Sequence, residues 1–358
     1  MKSFVPEYIC IDEASLNDEI TKNVLNRFPD VRYEVINPEI SGGKSEKPDM
    51  DNVTKGKRTL FLQRNRGPFI ERCPGTKDAC CCNYYVANLA INCHFDCTYC
   101  YLQGYLNSRN ITVNTNIEDF FREVEELYKD LGDSNIRIGT GELADSLAMD
   151  EITDFSLNLV PFFTKFDNFL LELKTKGNYT ENLLKVDPQG KTVISWSLNP
   201  QKIIDTEEYK TSSLIERLDA AKKCNNAGYK IAFHFDPIIR YEGWENDYKE
   251  VTEKMFDYVN PDDVLWISLG VLRYTPAGKT VIQERFPKTD IIYDEMVQCR
   301  DGKLRYIQPV RSEIFRKMRS WLASKAPNAF IYLCMENTAV WDKVYGEDNT
   351  EKDTVLKF

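Results

Sequence analysis

Three cysteines in one short stretch carry the strongest chemical signal in the sequence. Cys93, Cys97 and Cys100 follow a C-x3-C-x2-C spacing. Three thiolates presented by one tight loop can hold three corners of a cubane iron–sulfur cluster and leave its fourth iron open. An open iron can bind a small chelating molecule. A zinc knuckle that lacks its fourth ligand, or chance among many cysteines, is the alternative.

The chain has 11 cysteines in all, an odd number that makes a disulfide framework a poor explanation in a chain without a secretory signal. Cys73 and the run at 80–82 could bind a second metal or act as thiols beside a substrate. Cys299 is another thiol that could reach the site. Cys224 falls in a predicted helix and Cys334 at a strand end, where a buried thiol behaves as a small hydrophobe.

Short apolar runs alternate with amphipathic segments from residue 84 onward. Helices are predicted at 117–131, with Asn116 as N-cap, and at 213–227, before Gly228. Repeated alternation of strand and helix implies a partial or full (β/α) TIM-type barrel, whose active site lies at the C-terminal strand ends. The predicted buried strands are 86–91, 135–138, 169–173, 192–197, 229–235, 264–269 and 330–333.

The same patterns predict how the chain divides into domains. We expect an N-terminal extension with a cysteine-rich segment at 1–83, the barrel at 84–335 and a C-terminal tail at 336–358. The polar stretch 41–48 is typical of an exposed loop.

Charge and hydropathy exclude some classes of protein. The 358 residues include 46 Lys+Arg and 56 Asp+Glu, for a net charge of -10. Such a chain has no general attraction to polyphosphate, so DNA is not expected as a partner unless a local basic patch binds it. No apolar run approaches the roughly 20 residues of a membrane span, and no secretory signal is visible, so we expect a cytoplasmic protein.

The cysteine spacing, in a loop after the first strand of a βα-repeat, resembles the radical S-adenosylmethionine (SAM) superfamily. That resemblance implies a [4Fe–4S] cluster on the three cysteines and SAM on the open iron. It also implies reductive cleavage of SAM to a 5′-deoxyadenosyl radical, with flavodoxin or ferredoxin as electron donor. The G-T-G-E run at 139–142 is similar to the superfamily's glycine-rich acidic motif beside the SAM amino group; an ordinary strand-to-loop turn is the alternative.

From about residue 84 to 335 the chain resembles the spore photoproduct lyase family. The resemblance implies that Glu142 and Lys176 hold SAM, with Lys176 on its carboxylate. Ser197 and Asn199 would contact the methionine or ribose part. The motifs that carry the resemblance are CTYCYL at 97–102, DSLAMD at 145–150, KTK at 174–176, SWSLN at 195–199, PIIRYEGW at 237–244 and RFPKT at 285–289.

The same resemblance places Tyr99 and Tyr101 near the radical and Arg273, Arg305 and Tyr306 near a nucleobase-like substrate. A surface lysine at a strand end is the alternative interpretation of Lys176.

Two departures from the family point to a different substrate. Leu143 stands where the DNA-repair lyase has a hydrogen-donating cysteine. Asp236 stands where that lyase has a small apolar residue, at a strand end that faces the ligand. Its carboxylate could pair with a guanine-like edge or a diol, or could instead cap the loop before Pro237. Alternation puts His234 on the same face, either as a second polar contact or as a satisfied core histidine.

These departures and the acidic charge favour a small nucleobase-like substrate and a homolytic bond cleavage. Among family relatives the best candidate is queuine lyase, which releases 7-aminomethyl-7-deazaguanine from queuine for salvage. A spore photoproduct lyase-type DNA repair enzyme is one alternative. A non-enzymatic iron–sulfur or nucleic-acid binding protein is another.

Overall fold

The computed structural model describes residues 4–37, 55–75, 79–80, 84–132 and 134–346. The polar stretch 41–48, Cys81 and Cys82 therefore lie outside the described residues. The strands are β1 (Tyr8–Asp12), β2 (Tyr33–Ile36), β3 (Thr59–Gln63), β4 (Ile70–Arg72), β5 (Tyr84–Ala87), β6 (Ala90–Ile91), β7 (Asp96–Cys97), β8 (Ile111–Asn114), β9 (Ile136–Gly139), β10 (Phe169–Thr175), β11 (Thr192–Ser197), β12 (Glu208–Tyr209), β13 (Lys230–Ile238), β14 (Val264–Val271), β15 (Arg273–Tyr274), β16 (Met296–Gln298), β17 (Leu304–Tyr306) and β18 (Phe330–Leu333).

Helices connect most of these strands. The α-helices are Glu19–Arg27, Leu102–Tyr105, Ile117–Leu131, Asp150–Thr153, Phe155–Phe163, Gln201–Glu207, Leu214–Asn226, Trp244–Lys254, Pro276–Arg285, Gln308–Lys325 and Thr338–Tyr345. No helix in the described ranges is both long and apolar enough to cross a bilayer.

The larger sheet has eight strands in the order β18-β14-β13-β11-β10-β9-β5-β4. Its strands are parallel from β5 to β18, and β4 pairs antiparallel at the edge. Arg137 on β9 reaches across to Trp266 on β14 and Tyr332 on β18, with its guanidinium 4.8 and 5.6 Å from the two ring centroids. Because these strands are far apart in the order, the sheet curls into the partial barrel that the sequence predicted.

The sequence predicted several elements at their observed bounds. β11, β18 and the helix Ile117–Leu131 match in full. That helix buries Ile117, Phe120 and Val124, but Asn116 makes no capping bond to the helix backbone. The amide of Asn116 instead donates to Asp119. The predicted run 86–91 divides into β5 and β6, which belong to different sheets.

A second sheet, in the order β2-β1-β3-β8-β6, was not predicted. Its first four strands are parallel, and Leu60 of β3 pairs with Ile111 of β8. Strands before and after position 83 therefore pair in both sheets, so the predicted boundary at 83 does not coincide with a boundary in strand pairing. The predicted tail likewise contains the helix Thr338–Tyr345, which buries Val340, Trp341 and Val344.

Candidate active site

The three motif cysteines lie together at the C-terminal end of the first parallel strands. Cys93 and Cys97 are buried, Cys100 is half-buried, and the three pack with Phe95 and Ala148. β7, inside the loop, pairs antiparallel with β12 through Cys97 and Glu208. The pairing of β7 with β12 thus anchors one side of the cysteine loop.

A lysine that sequence reasoning missed secures the other side of the loop. The side chain of Lys57 is 4% exposed, and its Nζ donates to the carbonyl oxygens of Cys93, at 3.0 Å, and Phe95, at 2.5 Å. It also lies 3.4 Å from Oδ1 of Asn92. All three donors of the ammonium group therefore face the loop. In the sequence, Lys57 looks like any solvated lysine.

Burial has the largest effect on the pKa values of the thiols. It raises the pKa of Cys93 to about 11, with the Lys57 charge acting in the opposite direction. Burial also raises the pKa of Cys97 well above its ordinary value, against the charge of Lys176. Thiolates form here only when a bound cationic centre compensates the lost hydration. Three adjacent thiols in a water-poor cradle therefore fit an iron–sulfur cluster.

A single ion fits less well. In the described part of the chain, no group of three or more His, Cys, Asp or Glu side chains is arranged to hold one metal ion. Cys73 contributes to the electrostatic environment of Tyr101. The backbone N–H of Cys80 donates to the carbonyl oxygen of Glu336, at 3.0 Å. The second-metal hypothesis for the run at 80–82 stays a prediction, since two of its thiols are outside the described residues.

The glycine-rich run lies at the end of β9, beside the cysteine loop. A Cβ on Gly139 would lie 1.7 Å from the hydroxyl of Tyr84, and a Cβ on Gly141 would lie 2.9 Å from Cβ of Lys174. Both glycines are required because neighbouring side chains pack directly over the backbone. The carbonyl oxygen of Glu142 accepts a hydrogen bond of 2.7 Å from the hydroxyl of Tyr101.

Asp145 of the DSLAMD motif joins the ends of β9 and β10. Its carboxylate accepts from the backbone N–H groups of Leu147 and Ala148, and from Thr175 and the backbone N–H of Lys176. The Lys176 backbone is thereby fixed, and its Nζ lies 5.8 Å from the ring centroid of Tyr99. This places the predicted SAM lysine beside the cysteine loop.

A buried polar network surrounds Tyr99. The Tyr99 hydroxyl donates to Glu208, which also accepts from the Asn199 amide at 2.8 Å and from Arg217 at 2.5 Å. Oδ1 of Asn199 accepts from the Tyr248 hydroxyl at 2.6 Å. Glu208 is buried, yet Arg217 holds the pKa of its carboxyl below its ordinary value. The network fixes Tyr99 as a donor to a carboxylate.

Two residues that were predicted to contact SAM lie in or beside this network. Asn199 is 1% exposed and uses both ends of its amide within the protein. Ser197 is also buried, at the end of β11 in register with His234. Their predicted contacts with SAM stay predictions. Glu208 and Arg217 were not found from the sequence because a carboxylate on β12 and a guanidinium on the following helix carry no local signal of pairing.

Asp236 lies at the barrel mouth and is paired with Arg273. Oδ1 and Oδ2 accept from Nη1 and Nη2 at 2.8 and 3.0 Å. Although burial opposes ionisation, Arg273 lowers the pKa of Asp236 to about 2. Arg273 is therefore the partner of the Asp236 carboxylate within the protein, and the expectation that Asp236 pairs with a guanine-like edge or a diol stays a prediction. The pair also orients Arg273, whose Nε contacts Sδ of Met335 at 3.2 Å.

Lys174 lies in the same region of the mouth. Despite burial, the carboxylates of Glu142 and Asp236 raise its pKa. Cys334, predicted as a small hydrophobe, follows β18 and contributes to the electrostatic environment of Lys174 and Arg273. Arg273 and Lys174 make the mouth rich in hydrogen-bond donors, which suits the carbonyl oxygens of a nucleobase.

His234 lies one layer deeper in the barrel than Asp236. Its Nε2 is 2.8 Å from Oε1 of Glu172, which also accepts from Ser195 at 2.5 Å. Burial and then Lys174 lower the pKa of His234 to about 4, so the ring is neutral at pH 7. Burial opposes ionisation of Glu172, but Arg137 and His234 hold its pKa below the ordinary value. His234 is thus a buried histidine with a partner inside the protein, and its predicted contact with the substrate stays a prediction.

Tyr101 is the most accessible of the predicted site residues. Its side chain is 51% exposed and lies 5.9 Å, centroid to centroid, from the ring of Tyr105. Desolvation and the charge of Glu142 raise the pKa of Tyr101. Tyr101 is therefore protonated at neutral pH, and its hydroxyl donates a hydrogen bond to the backbone of Glu142 at the edge of the site.

A curled parallel sheet with a three-cysteine loop and a close-packed glycine-rich strand end defines the class of radical SAM enzymes. The family model for spore photoproduct lyase matches residues 4–334, so the chain belongs to the spore photoproduct lyase family. It is a radical SAM lyase, and the cofactors of this family are a [4Fe–4S] cluster and SAM.

Curated relatives support the assignment along the whole chain. The spore photoproduct lyase of Geobacillus sp. is 27% identical over 342 residues, covering 92% of this chain and 98% of that protein. The spore photoproduct lyase of Bacillus subtilis is 26% identical over the same length, with the same coverage of both chains.

Solved structures give the same result. A spore photoproduct lyase complexed with dinucleoside spore photoproduct superposes with a TM-score of 0.83 at 26% identity, covering 93% of this chain and all of that chain. A doubly substituted variant with bound AdoMet and dinucleoside spore photoproduct has a TM-score of 0.82 at 25% identity, covering 94% of this chain and all of its own. The predicted barrel fold is confirmed.

Proposed function

We propose that this chain breaks a bond in a nucleobase-containing substrate by hydrogen abstraction. When bound, the [4Fe–4S] cluster and SAM supply a 5′-deoxyadenosyl radical. Cys93, Cys97 and Cys100 would hold the cluster. The observation that carries the proposal is the shared cradle of these thiols, because sequence spacing and three-dimensional packing both select the same three residues.

The residues around the cradle would orient the reactants. Glu142 and Lys176 are placed at adjacent strand ends, where opposite charges suit the amino and carboxylate groups of SAM. The hydrogen bond from Tyr99 to Glu208 would keep the side chains beside Lys176 in fixed positions. Arg273 and Lys174 would donate hydrogen bonds to carbonyl oxygens of the substrate. Holding the reacting carbon in one position favours abstraction of one hydrogen over others.

The first candidate substrate is a spore photoproduct in DNA, as in the relatives. The supporting observations are the match over 92% of the chain and the relative whose structure contains the dinucleoside photoproduct. This likeness counts against our expectation that DNA is not a partner. It also favours the repair alternative over queuine, which the comparisons do not support.

A departure inferred from the sequence supports a free nucleobase as a second candidate. When the DSLAMD stretch at 145–150 is matched to the family, Leu143 would stand at the position of the hydrogen-donating cysteine, and a leucine C–H bond cannot replace the weak S–H bond of a thiol. The net charge of -10 also disfavours a long polyanion. Queuine, with 7-aminomethyl-7-deazaguanine as product, represents this class.

A parallel assay separates the candidates. Reconstituted protein with SAM and a reductant is given dinucleoside spore photoproduct or queuine, and products are identified by mass spectrometry. Repair of the photoproduct supports the first candidate; conversion of queuine alone supports the second. In a Leu143→Cys variant the yield of repaired photoproduct should rise if the lesion is the substrate. Absence of 5′-deoxyadenosine under all conditions would instead indicate a non-enzymatic protein.

A further inference from the structure

The segment before β3 brings a charged side chain into contact with the cysteine loop. Gly56 lies directly against a neighbouring backbone, and a Cβ on Gly56 would overlap the carbonyl oxygen of Arg109. This close approach allows the next residue, Lys57, to reach the loop while only 4% exposed. Asn92 fixes the same region, because its Nδ2 donates to the carbonyl oxygen of Arg109 at 2.8 Å and its Oδ1 accepts from the backbone N–H of Cys93 at 3.0 Å. The Lys57 ammonium group therefore has a defined position next to a cysteine of the cradle.

The hydrogen-bond partners of the Lys57 ammonium group carry no charge. They are two carbonyl oxygens of the cysteine loop and the amide oxygen of Asn92. Among the described residues, the carboxylate within 4 Å of Nζ is that of Asp96, at 3.9 Å. Arg285, whose side chain is 5% exposed, already binds both oxygens of this carboxylate, at 2.9 and 3.2 Å. Two buried cations therefore share one carboxylate beside the loop.

Two other carboxylates near the thiols have cations of their own. Glu208 is bound by Arg217 at 2.5 Å, and neither side chain is exposed. Asp145 lies beside Lys176, whose backbone N–H donates to its carboxylate at 2.7 Å. These pairs are close to neutral, so they do not offset the charge of Lys57.

A buried cation without a full counter-charge is unfavourable until a negative group binds beside it. A [4Fe–4S] core on three thiolates is such a group, since it is negative when oxidised and more negative after it gains an electron. Net charge and hydrogen bonding around a cluster set its reduction potential. A nearby cation stabilises the more negative state to a greater extent, so the charge of Lys57 favours the reduced cluster.

We propose that Lys57 is a positioning residue that holds the cysteine loop and, through its buried charge, raises the reduction potential of the cluster. The inference rests on the proposed function, because it requires the cluster on Cys93, Cys97 and Cys100. In the reduction a one-electron donor loses an electron and the cluster gains it; no bond forms or breaks. Lys57 makes this reduction easier and exchanges neither a proton nor an electron itself.

The test measures the reduction potential of the reconstituted protein without SAM or substrate. A redox titration with dithionite is followed by the electron paramagnetic resonance signal of the reduced cluster. Lys57→Met removes the charge and the N–H donors, whereas Lys57→Gln removes the charge and keeps two N–H donors. In both variants the equilibrium constant for reduction should fall about tenfold, which for a one-electron couple is a shift of about 59 mV to lower potential.

Lys55→Met is the matched control, because Lys55 is exposed on the same segment and its loss makes the same charge change. Water and salt screen an exposed charge, so this variant should keep the native potential. A native potential in Lys57→Gln would overturn the proposal, because hydrogen bonds alone would then account for Lys57. An equal shift in Lys55→Met would overturn it as well.

Loss of bound iron from both Lys57 variants would also count against the proposal, because it would leave Lys57 a structural role only. Chemical analysis of iron and sulfide measures that outcome. A native protein that is reduced normally but forms no 5′-deoxyadenosine with SAM would refute the proposed function alone.

Discussion

The bidentate pair of Asp236 and Arg273 lies directly over the backbone of Gly270. A Cβ at Gly270 would be 2.6 Å from Cγ of Asp236, too close for any real contact. Gly270→Ala should therefore displace the carboxylate and release Arg273 from its fixed orientation. We expect at least a tenfold loss in kcat/KM with a destabilisation of about 1–3 kcal/mol. Steady-state kinetics and thermal unfolding measure both. Gly67→Ala, where an added Cβ meets nothing within 4 Å, is the control and should behave as native.

Glu208 is the central acceptor of the network that fixes Tyr99. Glu208→Gln removes the charge that compensates Arg217, and neither side chain of this pair is exposed. Breaking a buried ion pair by removing one partner costs about 3–5 kcal/mol. Urea unfolding should show a loss of that order. Glu250→Gln, which affects a pair with Lys254 at the surface, should cost less than about 1 kcal/mol. Similar losses in the two variants would refute the role of the network.

The cysteine cradle predicts which thiols hold iron. Alanine at any one of Cys93, Cys97 or Cys100 should lower the iron and sulfide content of the reconstituted protein to a small fraction of the native value, because each thiolate supplies one corner. Cys299→Ala should retain the native content. Chemical analysis and the visible absorbance of the cluster measure the result. A variant of the cradle that keeps full iron content would contradict the assignment.

The buried position of His234 predicts a pH dependence of stability. The pKa of His234 is about 4 in the folded protein, and an unfolded histidine titrates near 6.5. Between these values the unfolded chain binds a proton that the folded chain does not. Stability from this residue therefore falls as pH drops from about 6.5 to 4, by at most about 1.4 kcal/mol per pH unit.

The variant that tests this effect is His234→Gln, which keeps a polar group beside Glu172 but cannot titrate. Its free energy of unfolding should be lower than the native value at pH 7. The difference should narrow between pH 6.5 and 4.5. Urea unfolding at several pH values provides the measurement, and a constant difference across this range would show that His234 does not titrate as described.

Local patterns predicted the barrel well and the second sheet not at all. The strand 192–197 is buried on both faces and contains Val193, Ile194 and Trp196, residues that favour strands, so its bounds are visible in the sequence. β1 and β3 are five residues each, and their stability depends on pairing with each other and with β8. Such distant pairing leaves no mark in a local window.

The candidate site was also predictable only where the signal lies within one short segment. The cysteine loop was predictable because one short segment contains all three thiols. The pairing of Arg273 with Asp236 was not, since it depends on how β13 and β15 meet in space. Consequently the sequence found Asp236 but assigned it to a ligand, when its first partner is within the protein.

The pairing of β3 with β8 also has a consequence for the newly made chain. β8 is synthesised after β3, and the cysteine loop lies between them in the chain. Pairing of β3 with β8 brings the segment with Lys57 beside the loop, where Nζ donates to the carbonyl oxygens of Cys93 and Phe95. The geometry of the cysteine loop therefore depends on a strand pair that can form only after the whole loop has been synthesised.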